Sequence, residues 1–498
     1  MTERKKLYRK FQAWMFAAGL SCLLTSFMWA QAAAPPQTTP SGQQPASSGA
    51  GSRAPQAAVE EQKISPKEAD ELFRSVDETL KFASKDTEFP VKHEVKRQLA
   101  TRDQVVAYLE KSMAENKDAQ RLRRSESVLK KFGLLPADFD LQKFLVSLLR
   151  EQVAGYYDAK TRTVNLLDWI GPEQQRPVLA HELTHALQDQ SFGLEKWMKA
   201  GDVDLDEKKN LTAADLDKDE LSEARQAVVE GQAMVVLVDY MLAPTGQSLL
   251  TSPQIANALK EGMLVGTADS PEFQNAPIFL KEALTFPYRY GLDFEAELLR
   301  SGGKGKAFAA AMTNPPQSTR QIMEPSTYLS GERLEPMRLP DFAEDFKGYD
   351  RFDVGAMGEF DTAILVDQYA GVQASHEMYP HWRGGYYYAG RPKGDSAALL
   401  AVLYLSRWSD DESAAGFAAI YAKSLATRYK HVHEAVEEGK QPIPDLRTVD
   451  TLTGTHTWLT EDGPVVIAVD HESVLITESL DQATTERLER ELLGPAKK

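Results

Sequence analysis

The sequence is short of cysteine and of basic charge. Among 498 residues the single cysteine is Cys22, which lies in an apolar N-terminal segment. If that segment is removed, the mature chain has no cysteine, which excludes disulfide bonds and thiolate zinc ligands. The formal net charge of −16 argues against nucleic acid as a partner, because phosphate binding needs clustered Lys and Arg. It gives no support to a basic membrane-binding surface either.

The N-terminus has the layout of a secretory signal peptide (residues 1–32). A basic stretch precedes an apolar run over residues 13–30, which ends in the small-residue site Ala30-Gln31-Ala32. This pattern predicts export to the periplasm or the medium, with cleavage after Ala32. The alternative is an uncleaved anchor, because the run approaches the roughly 20 residues of a membrane span. Membrane contact would then come through this segment alone. Residues 33–62, rich in Ala, Pro, Gln and Ser, predict a disordered linker.

The spacing of apolar residues predicts an α+β fold that is mainly helical. We expect a helical N-terminal region over residues 63–140, a core over 141–335 and an α+β region over 336–498. In the core, Tyr156 to Leu167 reads as a hairpin, and helices are predicted from Pro172 to about Gln190 and from about Leu221 to Leu242. In the last region we expect strands and helices that are bounded by turn residues, ending with a helix capped by Asp481.

One motif in the core points to metal chemistry: His181-Glu182-Leu183-Thr184-His185. On a helix of 3.6 residues per turn, both histidines project from one face and can reach one Zn²⁺ at about 2.0–2.1 Å. Zinc lowers the pKa of its bound water towards about 7, and Glu182 is placed to take the proton as general base. The pattern arises by chance in only about one chain in a hundred of this histidine content.

A catalytic zinc site needs a third protein ligand and an open position. No histidine follows at a nearby spacing, because positions 188 and 191 are Gln188 and Ser191. Glu230 is the favoured ligand, since it lies among apolar residues where an unpaired carboxylate would be costly. Glu223, two turns earlier on the same face, is the reserve ligand or a partner of a zinc-bound histidine. Glu220 belongs to an acidic run and is expected to be solvated.

Small residues on the same predicted helix, Ala224, Ala227 and Gly231, form a stripe. We expect the two helices of the site to approach each other closely along this stripe.

These residues resemble the gluzincin-type zinc metallopeptidases, in which HExxH is followed by a distal Glu. More closely, the chain is similar to a group of exported bacterial proteins with five shared segments. Here these are Gly155-Tyr156-Tyr157-Asp158, His181 to Gln190, Val229 to Ala233, Phe286-Pro287-Tyr288 and Asn314 to Thr319. The resemblance covers roughly residues 140–335. It implies a zincin-like metallopeptidase core, with His181, His185 and Glu230 as zinc ligands, Glu182 as base and a peptide or protein as substrate. Position 324 is Glu where the pattern has His, so we assign that segment no metal role.

The oxyanion donor, the substrate-binding edge and the catalytic role each have more than one candidate. Tyr288 and Tyr290 are both candidates to donate a hydrogen bond to the developing oxyanion. The strand of Tyr157, or the strand Arg162–Leu167, is a candidate edge for binding an extended substrate. A second hypothesis is a catalytically silent zincin-fold envelope protein that binds a partner and holds zinc structurally. The sequence gives no oligomeric state.

Overall fold

The computed structural model describes residues 63–107, 116–152, 155–200, 205, 210–265, 270–436 and 441–494. The predicted signal peptide and linker lie outside the described residues. The described part is an α+β structure, 55% helical, which confirms the predicted fold class at this level.

Most of the helices come before residue 331. Their bounds are α1 Pro66–Thr87, α2 Asn116–Lys131, α3 Leu141–Gln152, α4 Pro172–Phe192, α5 Leu194–Lys199, α6 Ala213–Asp217, α7 Leu221–Leu242, α8 Gln254–Val265, α9 Pro271–Gln274, α10 Ile278–Gly305, α11 Ala311–Thr313, α12 Thr319–Met323 and α13 Pro325–Ser330. A π-helical turn, Lys306–Ala310, joins α10 to α11. The bounds predicted for α4 and α7 are confirmed.

A small mixed sheet lies beside α4. Its strands are β1 Lys96–Ala100, β2 Tyr156–Asp158 and β3 Thr163–Leu167, in the order β1–β3–β2. The predicted hairpin is confirmed, because β2 and β3 pair antiparallel with Tyr157 opposite Val164. The strand β1 was not predicted, and it pairs parallel with β3. For this reason the expectation that Arg162–Leu167 offers a free edge is wrong. The edge strand next to α4 is β2.

The C-terminal region is built on a seven-stranded antiparallel sheet. Its strands are β4 Tyr349–Ala356, β5 Trp382–Pro392, β6 Ala401–Trp408, β7 Val432–Glu434, β8 Gly454–Thr460, β9 Gly463–Asp470 and β10 Ser473–Glu478, and its helices are α14 Glu359–Ala370, α15 Val372–Met378, α16 Asp411–Arg428 and α17 Gln482–Leu492. The strand order is β4–β5–β6–β10–β9–β8–β7. The predicted cap of α17 is confirmed, because the Asp481 side chain accepts a hydrogen bond from the amide of Thr484.

The helix α7 runs through the middle of the helical part. Almost every side chain from Leu221 to Asp239 is buried. The stretch Ala213–Thr245 is long and apolar enough to cross a membrane, but 72% of its most apolar window is buried inside the protein. Such burial is typical of a core helix.

The close helix contact at the small-residue stripe is made with α10. A Cβ atom added to Gly231 would overlap the backbone of Gly291, and one added to Gly291 would overlap the carbonyl of Ala227. The prediction that this stripe faces the HExxH helix is therefore wrong in its partner. The stripe therefore lets the backbones of α7 and α10 approach closely. Glu230, on the same helix, points towards α4.

One continuous cluster of buried apolar side chains includes members of all three predicted regions, among them Leu72, Leu183 and Ile476. The boundaries at residues 140 and 335 stay a prediction.

Candidate metal centre

The helix α4 carries the two histidines into the interior. Pro172 occupies its first turn and Gly193, with φ 67°, ends it. Every residue from Val178 to Gln188 is buried, so the motif lies on a helix that is enclosed on all sides. The rings of His181 and His185 have centroids 4.7 Å apart and are perpendicular. This confirms that the i, i+4 spacing brings both imidazoles to one face.

The third member of the cluster is Glu230 on α7. Its Oε2 atom lies 3.1 Å from His181 Nε2 and 3.5 Å from His185 Nε2. The two Nε2 atoms are themselves 3.1 Å apart. In the part of the chain that the structure describes, this is the one group of three or more His, Cys, Asp or Glu side chains that could hold a metal ion.

The geometry of the three ligand atoms fits a metal ion. In a tetrahedral zinc site with bonds of about 2.0–2.1 Å, neighbouring ligand atoms lie roughly 3.3 Å apart. The observed separations of 3.1–3.5 Å bracket that value. The second oxygen of the carboxylate, Glu230 Oε1, has no hydrogen-bond partner among the described residues. A fully buried carboxylate with an orphaned oxygen is costly in a metal-free protein, and a coordinated cation removes that cost.

The charges of the cluster agree with the geometry. Burial opposes the ionisation of Glu230, but the charge of His185 and hydrogen bonds from both histidines lower the pKa of this carboxyl. Burial also opposes a charge on His185, yet Glu230 and Glu182 raise its pKa. The pocket therefore favours an ionised Glu230 and calls for one positive charge beside it, supplied by a proton on His185 or by a metal cation.

Glu182 lies next to His181 and is held by the edge strand. Its Oε2 atom accepts a hydrogen bond of 2.8 Å from the backbone N–H of Tyr157. The phenol of Tyr157 donates to Asp189 Oδ2 at 3.1 Å, and Asp189 Oδ1 accepts from the amide of Leu194. Strand β2 is thus fastened to α4 at two points, and one of them fixes the orientation of the Glu182 carboxylate.

The two candidate tyrosines occupy different surroundings on α10. The ring centroid of Tyr288 lies 6.3 Å from that of His181, with the rings inclined by 29°. Tyr290 instead packs against Phe286 and Phe360, and Lys260 lies 4.4 Å above its ring. Residues two apart on a helix point to different sides, so the structure brings Tyr288 and not Tyr290 beside the ligands.

Glu223 and Glu220 lie on or just before α7, away from the ligand group. Glu223 is seven residues from Glu230, about 10.5 Å along the helix axis, and is not part of the group. The expectation that Glu220 is solvated is wrong. It is buried and accepts hydrogen bonds from the amide and the hydroxyl of Thr319. Burial, with the charge of Asp361, raises its pKa to about 8.

Two glutamines near the ligands did not stand out in the sequence. Gln188 and Gln232 are both fully buried, and Gln188 Oε1 lies 2.9 Å from His185 Nδ1. The i, i+3 spacing of His185 and Gln188 is a usable signal for this contact. The contact with Gln232 joins residues 44 apart in the sequence and depends on how α4 and α7 pack.

Comparison of the chain with protein-family models, with curated proteins and with solved structures finds no match. The residues of this centre form a buried His181, His185 and Glu230 group that could bind a metal ion.

Proposed function

We propose that the chain is an exported zinc metallopeptidase of the gluzincin type, with a zincin-like core. The observation that carries this proposal is the convergence of two imidazole nitrogens and one carboxylate oxygen within 3.5 Å of one another. A carboxylate on the same helix, Glu182, lies beside them with one oxygen fixed by backbone.

The ligands would be His181 and His185 through Nε2 and Glu230 through Oε2. When bound, Zn²⁺ polarises a carbonyl group and makes water a nucleophile near neutral pH. Glu182 is the proton acceptor for that water, and it returns the proton to the leaving amine. The Tyr157 amide keeps the carboxylate from rotating away during both transfers. Tyr288, beside His181, is the preferred donor to the developing oxyanion.

The edge strand β2 is the surface on which an extended peptide would bind. The N–H of Tyr157 points away from β3, because it donates to Glu182. In an antiparallel strand the carbonyl of the same residue points to the same side. A substrate strand would therefore pair with the Tyr157 carbonyl and with groups further along β2, while the amide stays with the base.

The choice of zinc and hydrolysis rests on Glu182. Two histidines and a carboxylate also bind Fe²⁺ in oxygenases, but that chemistry has no need of a carboxylate base next to a ligand. Metal analysis of the purified mature protein tests the choice. We expect near-stoichiometric zinc. Absence of bound metal, or iron in its place, would overturn the proposal.

The ligand set is tested by two matched substitutions on α7. We expect Glu230→Gln to lose zinc and Glu223→Gln to retain it, because only Glu230 reaches both histidines. The opposite result would make Glu223 the third ligand. Circular dichroism of both variants reports whether the fold is kept.

The peptidase activity is tested on a denatured general substrate such as casein. We expect Glu182→Gln to keep its zinc and to lose activity by roughly 10²–10⁴-fold, as for removal of a general base. Glu195→Gln, an exposed glutamate on α5, is the matched control and should keep full activity. A zinc-loaded wild-type protein without activity would instead favour the silent envelope protein that binds a partner.

A further inference from the structure

A line of side-chain amides leads from His185 to the backbone of the π-helical turn. His185 Nδ1 contacts Gln188 Oε1 at 2.9 Å. Gln188 Nε2 donates to Gln232 Oε1 at 2.9 Å and to the carbonyl of Val229 at 3.1 Å. Gln232 Nε2 donates to the carbonyls of Ala307 and Phe308 at 2.8 and 3.0 Å. Both amides are fully buried, so no solvent competes for these contacts.

The backbone carbonyls of Ala307 and Phe308 determine which atom of each glutamine donates and which accepts. Backbone carbonyls only accept, so the nitrogen of Gln232 must face Ala307 and Phe308, and its oxygen must face Gln188. The nitrogen of Gln188 must in turn face Gln232 and Val229. Rotating either amide by 180° would place oxygen against oxygen in a buried site and leave buried polar atoms without hydrogen bonds, which is unfavourable. The oxygen of Gln188 is thereby left facing His185.

We propose that Gln188 and Gln232 form a relay, anchored on the carbonyls of Ala307 and Phe308, that keeps a proton on His185 Nδ1 and so presents Nε2 to the metal. The two glutamines are positioning residues, since neither touches a reacting atom. The inference rests on the proposed function only in taking His185 as a ligand. It adds the π-helical turn Lys306–Ala310, remote from the HExxH motif, as the element that sets the tautomer of that ligand.

His181, the other histidine of the cluster, differs from His185 in the hydrogen bonding of its Nδ1 atom. His181 Nδ1 is buried and has no hydrogen-bond partner among the described residues. A histidine ligand normally donates its second N–H to an acceptor that fixes tautomer and ring orientation. In this centre that support acts on His185, so loss of the relay should affect this ligand in particular.

The variant test compares two buried glutamines on α7. Gln232→Met removes the anchor, so that of these contacts only the one with the Val229 carbonyl still orients the Gln188 amide. Gln226→Met makes the same change at a buried glutamine whose amide atoms have no hydrogen-bond partner among the described residues. We expect the zinc dissociation constant, measured by competition with a chromophoric chelator, to rise roughly tenfold in Gln232→Met and to stay unchanged in Gln226→Met. Equal dissociation constants for the two variants would overturn the relay.

A second measurement needs no metal and compares the wild type with Gln232→Met. Long-range ¹H–¹⁵N correlation spectra of histidine-labelled, full-length wild-type protein report which ring nitrogen of His185 carries a proton. We expect a protonated Nδ1 whose proton exchanges slowly with solvent, and a loss of this slow exchange in Gln232→Met. An unprotonated Nδ1 in the wild type would overturn the relay. If the wild type binds no zinc but shows the slow Nδ1 proton, the proposed function fails and the relay stands.

Discussion

Two buried carboxylates, one in each half of the molecule, are neutralised in different ways. Glu478, on β10 of the C-terminal sheet, has Arg428 Nη2 at 2.6 Å from both of its oxygens. The hydroxyls of Tyr421 and Tyr429 each donate to it at 2.7 Å. Glu230, on α7, faces two histidines and has one oxygen without a partner among the described residues.

The difference separates a structural carboxylate from a candidate metal ligand. Glu478 has two permanent cations beside it, Arg428 and Lys131, whose Nζ lies 3.7 Å from Oε2. Both of its oxygens accept hydrogen bonds. Around Glu230 the partners are neutral unless protonated, and they converge on one point. A buried charge is tolerated only when it is paired or bound to metal. The first arrangement is complete in itself, whereas the second has the donors of a metal site.

The largest expected effect follows removal of the arginine that pairs with Glu478. Arg428→Met leaves Glu478 buried without its main cation, and we expect the free energy of unfolding to fall by about 3–5 kcal/mol. Denaturant unfolding measures this. Arg300→Met, which removes an exposed pair with Glu297, is the control and should cost at most about 0.5 kcal/mol. Combining Arg428→Met with Glu478→Leu should recover much of the loss. Equal losses in the two arginine variants would contradict the role assigned to Glu478.

The second expected effect is a loss of stability in acid that depends on Glu478. Burial raises the pKa of Glu478, but Arg428 and Lys131 outweigh it and lower the pKa to about 2. A depressed pKa means that this stabilisation is complete above the unfolded-state value of about 4.5 and is lost as the pH falls towards 2. Between those limits we expect the unfolding free energy of the wild type to fall by about 3 kcal/mol more than that of Glu478→Gln. Parallel curves for the two proteins would show that Glu478 titrates normally.

The third expected effect concerns metal removal. At a free zinc concentration of 100 times the dissociation constant, a ligand that binds only the folded state adds about 2.7 kcal/mol. We expect this zinc-dependent increment in the wild type and its absence in Glu230→Gln. Arg428→Met should keep the increment in full, since distant and independent sites contribute additively. If chelation lowers the stability of Glu230→Gln as much as that of the wild type, zinc binds elsewhere.

The two sites also differ in how far the sequence predicts them. The HExxH spacing determines the placement of His181 and His185 locally, through the helical repeat. Glu230 could be predicted because an acidic residue stands alone among apolar neighbours on a helix whose bounds were predicted correctly. Arg428 and Glu478 lie 50 residues apart, and no local pattern joins them. Their pairing depends on how α16 packs against the sheet.

The same physical limit explains the errors. The acidic neighbours of Glu220 in the sequence predict a solvated side chain, whereas its partner Thr319 is 99 residues away. The strand β4 and the helix α14 were not predicted, and the glutamine hydrogen bonds that join α4, α7 and the π-helical turn are tertiary contacts. Contacts within one or two helical turns follow from the sequence, as does the burial of Glu230 among apolar neighbours, whereas the partners that only packing supplies do not.

The smallest expected effect tests whether Glu230 depends on the packing of its helix. Gly231→Ala places a methyl group against the backbone of Gly291. Because the overlapping atoms are backbone, the clash is relieved only when α7 and α10 move apart. We expect a loss of about 2 kcal/mol in unfolding free energy, as for overpacking, together with weaker zinc binding, because the residue next to the ligand moves. Gly305→Ala is the matched control, since it has helical φ and ψ and no atom lies within 4 Å of the added Cβ. It should keep zinc affinity and gain up to about 1 kcal/mol. Unchanged zinc affinity in Gly231→Ala would show that α4 alone positions the metal, and that Glu230 follows the histidines rather than being held in place by the contact between α7 and α10.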